Sequence, residues 1–67
     1  MLQLRINGEA RSFEGVSTVA DLVLALSLGD KRLAIECNGE IVPKSCHAQT
    51  GLADGDQLEI VVAVGGG

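Results

Sequence analysis

Few residues in this chain are of a type that could carry chemistry: a closing run of three glycines, Gly65, Gly66 and Gly67, the two cysteines Cys37 and Cys46, the histidine His47, and a group of carboxylates at Asp54, Asp56 and Glu59. A C-terminal glycine offers one reactive group, its α-carboxylate, which has an unperturbed pKa of about 3.3 to 3.7 and is ionised at neutral pH. Glycines lack Cβ, so they can thread a backbone into a narrow site with φ values closed to other residues. At no more than ~3.6 Å per residue, the triplet can carry its last carbon on the order of 10 Å beyond the preceding valine. With Gly67 as the last residue, no proteolytic step is expected before that carboxylate can react. The plain alternative is a frayed terminus, since chain ends are generally poorly ordered.

The side-chain candidates have weaker support. Cys46 and His47 are adjacent, but neighbours on an extended chain point opposite ways, and catalytic pairs form by proximity in the fold. They are expected to be loop residues. Cys37 shares a strand face with Leu33 and Ile35 and reads as a small core hydrophobe. In a reducing compartment the two cysteines are expected to be free thiols. Asp54, Asp56 and Glu59 lack the spacing of a Ca²⁺ loop and read as turn formers and surface charge, so no metal site is expected.

Composition narrows the class further. A chain of 67 residues with 46% hydrophobic and 21% charged residues is one soluble globular domain. At this length it buries only about 60% of the surface its unfolded form exposes, which argues against a self-sufficient enzyme with its own pocket. The net charge is −4 and there is no Lys/Arg run, so the footprint of a nucleic-acid binder is missing. Phe13 is the sole aromatic residue, which removes base-stacking platforms. A basic partner surface is the better electrostatic match. The opening MLQLRING is neither a signal peptide nor a membrane span, so a cytoplasmic protein with no membrane partner is expected.

Seven segments must position whatever is reactive. LQLRI alternates strictly, with Leu2, Leu4 and Ile6 on one face, and Asn7-Gly8 then signals a hairpin into EARSF. STVADLVLAL changes period: Val19, Leu22, Val23 and Leu26 form a helical stripe, Thr18 is its N-cap, Asp21 lies in its first turn and Gly29 ends it. RLAIEC alternates again and turns through Asn38-Gly39 into EIVP, closed by Pro43. Residues 44–52 show no period and are expected to form a loop or a short helical turn. Asp54-Gly55-Asp56 turns into the last strand, QLEIVVAV. Leu58, Ile60, Val62 and Val64 form one side of that strand, yet Val61 and Ala63 on the other side are apolar too. Such a strand is either buried on both faces or leaves a patch uncovered. One helix covers one sheet face, so Val61 and Ala63 are candidate docking residues in an α+β domain with a mostly antiparallel sheet.

TVADLVLAL as the helix, LAIECNGEIVPK as strand, turn and strand, DGDQLEIV as the turn into the last strand, and the terminal Gly-Gly together resemble the ubiquitin-like β-grasp sulfur carriers. The resemblance runs nearly end to end and is strongest to the thiazole-biosynthesis branch of that family. It implies a β-grasp fold: a mixed sheet of four to five strands with one helix across one face, and the first and last strands paired in parallel at the sheet centre. Residues 1–64 would form the domain and 65–67 a flexible tail, with Gly65 and Gly66 threading and the Gly67 carboxylate reacting. The resemblance further implies a carrier rather than an enzyme, with no cofactor of its own. A ThiF-like adenylating enzyme would use ATP to activate the carboxylate, a cysteine desulfurase pathway would supply sulfur, and the thiocarboxylate would be delivered to a ThiG-like thiazole synthase. The alternatives are the small subunit of molybdopterin synthase, another sulfur carrier, or a non-reacting β-grasp interaction module whose glycines are a linker. A β-grasp ferredoxin is ruled out, because its cluster needs four cysteine ligands.

Overall fold

In the computed structural model, which describes residues 1–63, the first alternating segment forms β1 (Leu2–Ile6) and returns through Asn7-Gly8 as β2 (Glu9–Phe13). Asn7 and Gly8 hold φ of 51° and 85°, the pair of positive values that a type I′ hairpin turn requires. The register is unbroken from Leu2 opposite Phe13 to Ile6 opposite Glu9. A second hairpin of the same construction joins β3 (Leu33–Cys37) to the two-residue β4 (Glu40–Ile41), with Asn38 and Gly39 at φ of 52° and 86°.

Helix α1 spans Val19–Ala25 between the hairpins. Its start matches the expectation from sequence and adds to it. The Thr18 hydroxyl accepts the Asp21 N–H at 3.2 Å, while the Asp21 carboxylate accepts the N–H groups of Thr18 and Ser17 at 3.1 and 3.0 Å. This reciprocal capping box satisfies donors that the first helical turn leaves unpaired. The end of the helix differs from expectation. Gly29 is not among the residues of positive φ; Ser27 takes the left-handed conformation, at φ 59°. With Ser27 in that conformation, the Leu28 N–H bonds Val23 O at 2.9 Å and the Ser27 N–H bonds Leu24 O at 3.0 Å, which is a Schellman closure. The physical reason is Leu28, which turns back to pack on the core and sets the stop two residues before the glycine.

The aperiodic stretch forms a short 3₁₀ helix, Lys44–Gln49. Its far end is tied to the start of α1, since the Val19 N–H bonds Thr50 O at 3.0 Å and the Leu52 N–H bonds Ser17 O at 2.9 Å. Strand β5 follows as Gln57–Val62. It ends two residues short of the expected Val64, although the Ala63 N–H still bonds Arg32 O at 2.9 Å; Val64 and the three glycines lie outside the described residues.

The strands form one sheet in the order β2-β1-β5-β3-β4. β1 and β5 pair in parallel, and the remaining neighbours pair antiparallel. α1 lies on one face, where Leu22, Ile35, Leu58 and Val19 are fully buried. Removing one such leucine side chain costs about 2 to 5 kcal/mol, a large share of the roughly 5 to 15 kcal/mol by which domains are stable. On the other face Gln3, Arg5, Ala34, Glu36, Gln57, Glu59 and Val61 are all exposed, and no described element covers them. The uncovered-patch reading of β5 therefore holds over the doubly buried one. Among the described residues, no helix is long and apolar enough to cross a membrane.

Two outcomes are expected from the helix ends. Ser27→Gly relieves a left-handed residue that costs roughly 1 to 2 kcal/mol, less the backbone entropy of glycine at about 0.5 to 1 kcal/mol, so thermal denaturation should show a Tm raised by a few degrees. The hydrogen bonds from Ser17 N–H, Thr18 N–H and the Ser17 hydroxyl hold the Asp21 carboxyl below its ordinary value of 3.8. A depressed acid contributes stability that is present above its unfolded pKa and lost as pH falls through the folded one. Asp21→Asn should therefore lower Tm at neutral pH, and the difference from the unmodified protein should close on acidification below 3.8.

Candidate functional site

The end of β5 precedes the glycine run in sequence, and its placement starts at the turn before it. Gly55, at φ 89°, donates its N–H to Gln3 O at 2.8 Å. The Asp54 carboxylate accepts the Gln3 N–H at 2.8 Å, and the Asp56 carboxylate accepts the Ala53 N–H at 2.9 Å. Asp54 and Asp56 are thus turn formers, as their types suggested.

From that turn β5 runs between the hairpins and is gripped by an asparagine from each. Asn7 accepts the Ile60 N–H on Oδ1 at 2.8 Å and donates from Nδ2 to Ile60 O at 3.1 Å. Its side-chain amide reproduces the donor and acceptor of a neighbouring backbone. Asn38 accepts the Gln57 N–H on Oδ1 at 3.0 Å and donates from Nδ2 to Asp56 Oδ1 at 3.1 Å. Sequence reading identified both asparagines as turn residues and missed this second role. An Asn at the first turn position was the available signal, because glycine or aspartate would supply the turn without a side-chain donor.

On the uncovered face, Val61 is 62% exposed and stands opposite exposed Ala34. Ala63, one alternation further toward the glycines, is exposed as well. One row behind lie Ile41, Glu36 and Glu59, paired in that order across β4, β3 and β5. Ile41 is 74% exposed and belongs to this face, which sequence reading did not assign because it depends on the β3–β4 register. Glu36 directly opposes Glu59, a like-charge pair that is unfavourable in the free protein. The surface is thus apolar next to the end of β5 and acidic one row behind.

The remaining candidates are not brought together with it. Cys37 is half-buried and its thiol pKa is pushed up, first by burial and then by the Asp56 and Glu40 carboxylates. It is a thiol rather than a thiolate at neutral pH, and the thiolate is the reactive form. Cys46 sits in the 3₁₀ helix, half-buried against the core, with His47 beside it, and both cysteines are free. Among the described residues, no group of three or more His, Cys, Asp or Glu side chains is placed to hold a metal ion. Gly65, Gly66 and Gly67 lie outside the described residues.

A five-stranded mixed sheet in this order, with the first and last strands paired in parallel at its centre and α1 packed on one face, defines the ubiquitin-like β-grasp class. A solved structure of a thiamine biosynthesis protein, ThiS, from Geobacter metallireducens superposes with a TM-score of 0.81 at 30% identity, covering 98% of this chain and all of that one. The sulfur carrier protein ThiS of Bacillus subtilis is 35% identical over 65 residues, 96% of this chain and 98% of that protein. A thiazole synthase of Paramagnetospirillum magneticum is 48% identical over 66 residues, 98% of this chain and 20% of that protein. The chain thus spans a fifth of the length of the thiazole synthases that it matches. The model of the ThiS family matches residues 4–67, glycine run included, and the chain belongs to that family.

The asparagine grip has a direct test. Asn7→Gly keeps the positive φ of the turn but leaves the Ile60 N–H and C=O without their side-chain partners. The expected loss is about 1 to 3 kcal/mol in urea denaturation, with amide exchange at Ile60 accelerated ahead of Leu58. Unchanged stability would mean that the turn alone positions β5.

Proposed function

We propose that this chain is a sulfur carrier in thiamin biosynthesis, with the Gly67 carboxylate as its reactive group and the folded body as the handle by which partners hold it. Membership of the ThiS family and a family match that extends through Gly65, Gly66 and Gly67 are the observations that carry this reading. The chain takes no part as a catalyst and needs no bound cofactor; ATP is consumed on the partner.

The chemistry follows from what a carboxylate lacks. It is a poor electrophile, because a nucleophile must add charge to an anion and expel oxide. A ThiF-like adenylating enzyme removes that obstacle: a Gly67 carboxylate oxygen attacks the α-phosphate of ATP, pyrophosphate leaves, and the acyl-adenylate carries a stabilised leaving group. The outer sulfur of a cysteine persulfide from a desulfurase pathway then attacks the acyl carbon and expels AMP, forming an acyl disulfide, and a reducing thiol cleaves its S–S bond to release the thiocarboxylate, which thiazole synthase consumes. Gly65 and Gly66 serve as the thread, since a Cβ at either would widen the segment that enters the adenylating site.

The body supplies orientation. Val61 and Ala63 form the docking contact beside the tail, extended by Ala34, while Glu36 and Glu59 favour a partner surface bearing lysine or arginine. A cation between the two carboxylates would relieve their repulsion, so binding gains more there than at an isolated acid. That segments similar to this chain lie within proteins named thiazole synthase supports such an enzyme as the acceptor, because a shared polypeptide keeps carrier and consumer together.

Incubation with an adenylating enzyme of the ThiF type, ATP and a sulfur source is expected to raise the intact mass by the difference between sulfur and oxygen, mapped to Gly67. Added mass on Cys37 or Cys46 instead would overturn the reading. One residue appended after Gly67 should abolish the reaction with the domain still folded. Val61→Asp should weaken partner binding at least tenfold while leaving the tail chemically intact.

A further inference from the structure

We propose that Asn38 is a site of spontaneous modification, at which deamidation unfastens the start of β5 from the β3–β4 hairpin. Asn-Gly is the dipeptide most open to this chemistry, because no side chain shields the glycine nitrogen. The Gly39 amide nitrogen attacks Cγ of Asn38; the new N–Cγ bond forms as the Cγ–Nδ2 bond breaks, the Gly39 amide proton ends on the departing nitrogen, and ammonia leaves. Water then opens the succinimide at either carbonyl, giving aspartate or isoaspartate. Water is the sole co-reactant, and no electron changes hands. Neither step depends on sulfur transfer.

The structure decides what the product does. Asn38 Nδ2 donates to Asp56 Oδ1 at 3.1 Å. After deamidation a carboxylate oxygen occupies the place of that donor, so an attraction becomes a repulsion between two anions at hydrogen-bond distance. The Gln57 N–H, bonded to Oδ1 at 3.0 Å, then has a partner that its neighbour pushes away. The titratable groups around Asn38 are Asp56, the Cys37 thiol at 3.7 Å, Glu40 next along the hairpin, and Glu36 and Glu59 across the adjoining groove. The charged ones are all acids, so an added negative charge finds no compensation among them.

Asn7-Gly8 has the same turn conformation but is held differently. Its bonds to Ile60 are partly buried, and its turn closes a hairpin with five paired positions. The bonds from Asn38 to Asp56 and Gln57 are exposed, and its turn closes on a strand of two residues. Cyclisation requires the amide to leave its partners, and segments with exposed bonds and short pairing open most readily. Asn38 is therefore the residue that reacts first.

The test holds the folded protein in mildly alkaline buffer and follows it by peptide mass spectrometry beside a urea-unfolded control. Isoaspartate and aspartate are expected at Asn38 before either appears at Asn7, and the separated acidic form should exchange the Gln57 amide several-fold faster than the intact protein. Asn38→Asp carries the charge without backbone rearrangement. It should lower Tm at neutral pH, because it sets a second carboxylate against Asp56. Against Asp56→Asn as reference, adding Asn38→Asp should cost far less, because the donor and acceptor are then exchanged. Modification first at Asn7, no modification of the folded protein while the unfolded control converts, or an acidic form with unchanged Gln57 exchange would each overturn the proposal.

Discussion

Everything in this fold depends on β5 being held between two hairpins that do not touch each other. The β1–β2 and β3–β4 pairs become one sheet only through β5, and the sheet is the floor on which α1 buries Val19 and Leu22. Without β5 the helix has no continuous apolar surface beneath it. The parallel side of this junction has only two paired positions, Arg5 with Gln57 and Ile6 with Leu58. The Asn7 amide therefore matters beyond its turn: through its two bonds to Ile60 it lengthens this short ladder at the point where β1 has already ended. Pairing the last strand with the first closes nearly the whole chain as one loop, so its entropy cost must be met before most native contacts form.

The same constraint ties the candidate site to the core. Leu58 and Ile60 are buried on the helix side of β5 while Glu59 and Val61 are displayed on the other. A force applied to the chain beyond Ala63 is thus resisted by the central strand, with hydrogen bonds on both flanks and two of its six side chains, Leu58 and Ile60, in the core. In the proposed role such rigidity would favour docking, since binding then spends little on ordering the body. The cost is a sheet face left in water, with the opposed Glu36 and Glu59 on it. These acids also keep the apolar row from extending across the sheet, which limits self-association.

How much of this was legible in the sequence depends on how local each cause is. Alternation in LQLRI and LAIEC, the two Asn-Gly turns, and the Thr18 cap with Asp21 are decided within a few residues, and each is where its pattern places it. The stop of α1 was misread because glycine at position 29 is a strong local signal, whereas burial of Leu28 is a tertiary demand that forced Ser27 into the left-handed region. The exposed position of Ile41 and the grip of Asn7 on Ile60 needed register across the sheet, the latter over 53 residues of separation. Periodicity contains no such information. The parallel β1–β5 pairing likewise came from resemblance to a family, and alternation alone would have allowed either direction.

The environment of the thiols bears on the proposal that the backbone terminus, and not a cysteine, is the reactive group. A side-chain sulfur relay needs an exposed thiolate. Cys37 faces the core side of β3, where burial and the Asp56 and Glu40 carboxylates all favour the protonated thiol, and Cys46 packs against the core from the 3₁₀ helix. Lowering the Cys37 pKa would take a nearby cation, and Asp56, which shapes the Asp54–Asp56 turn and the Asn38 grip, occupies the space beside the thiol. Carboxylates that fasten β5 therefore also suppress the nearest competing nucleophile. Under the proposed chemistry a terminal carboxylate would escape the conflict, because a partner would supply its reactivity after docking and it would ask nothing of the electrostatics that hold the domain together.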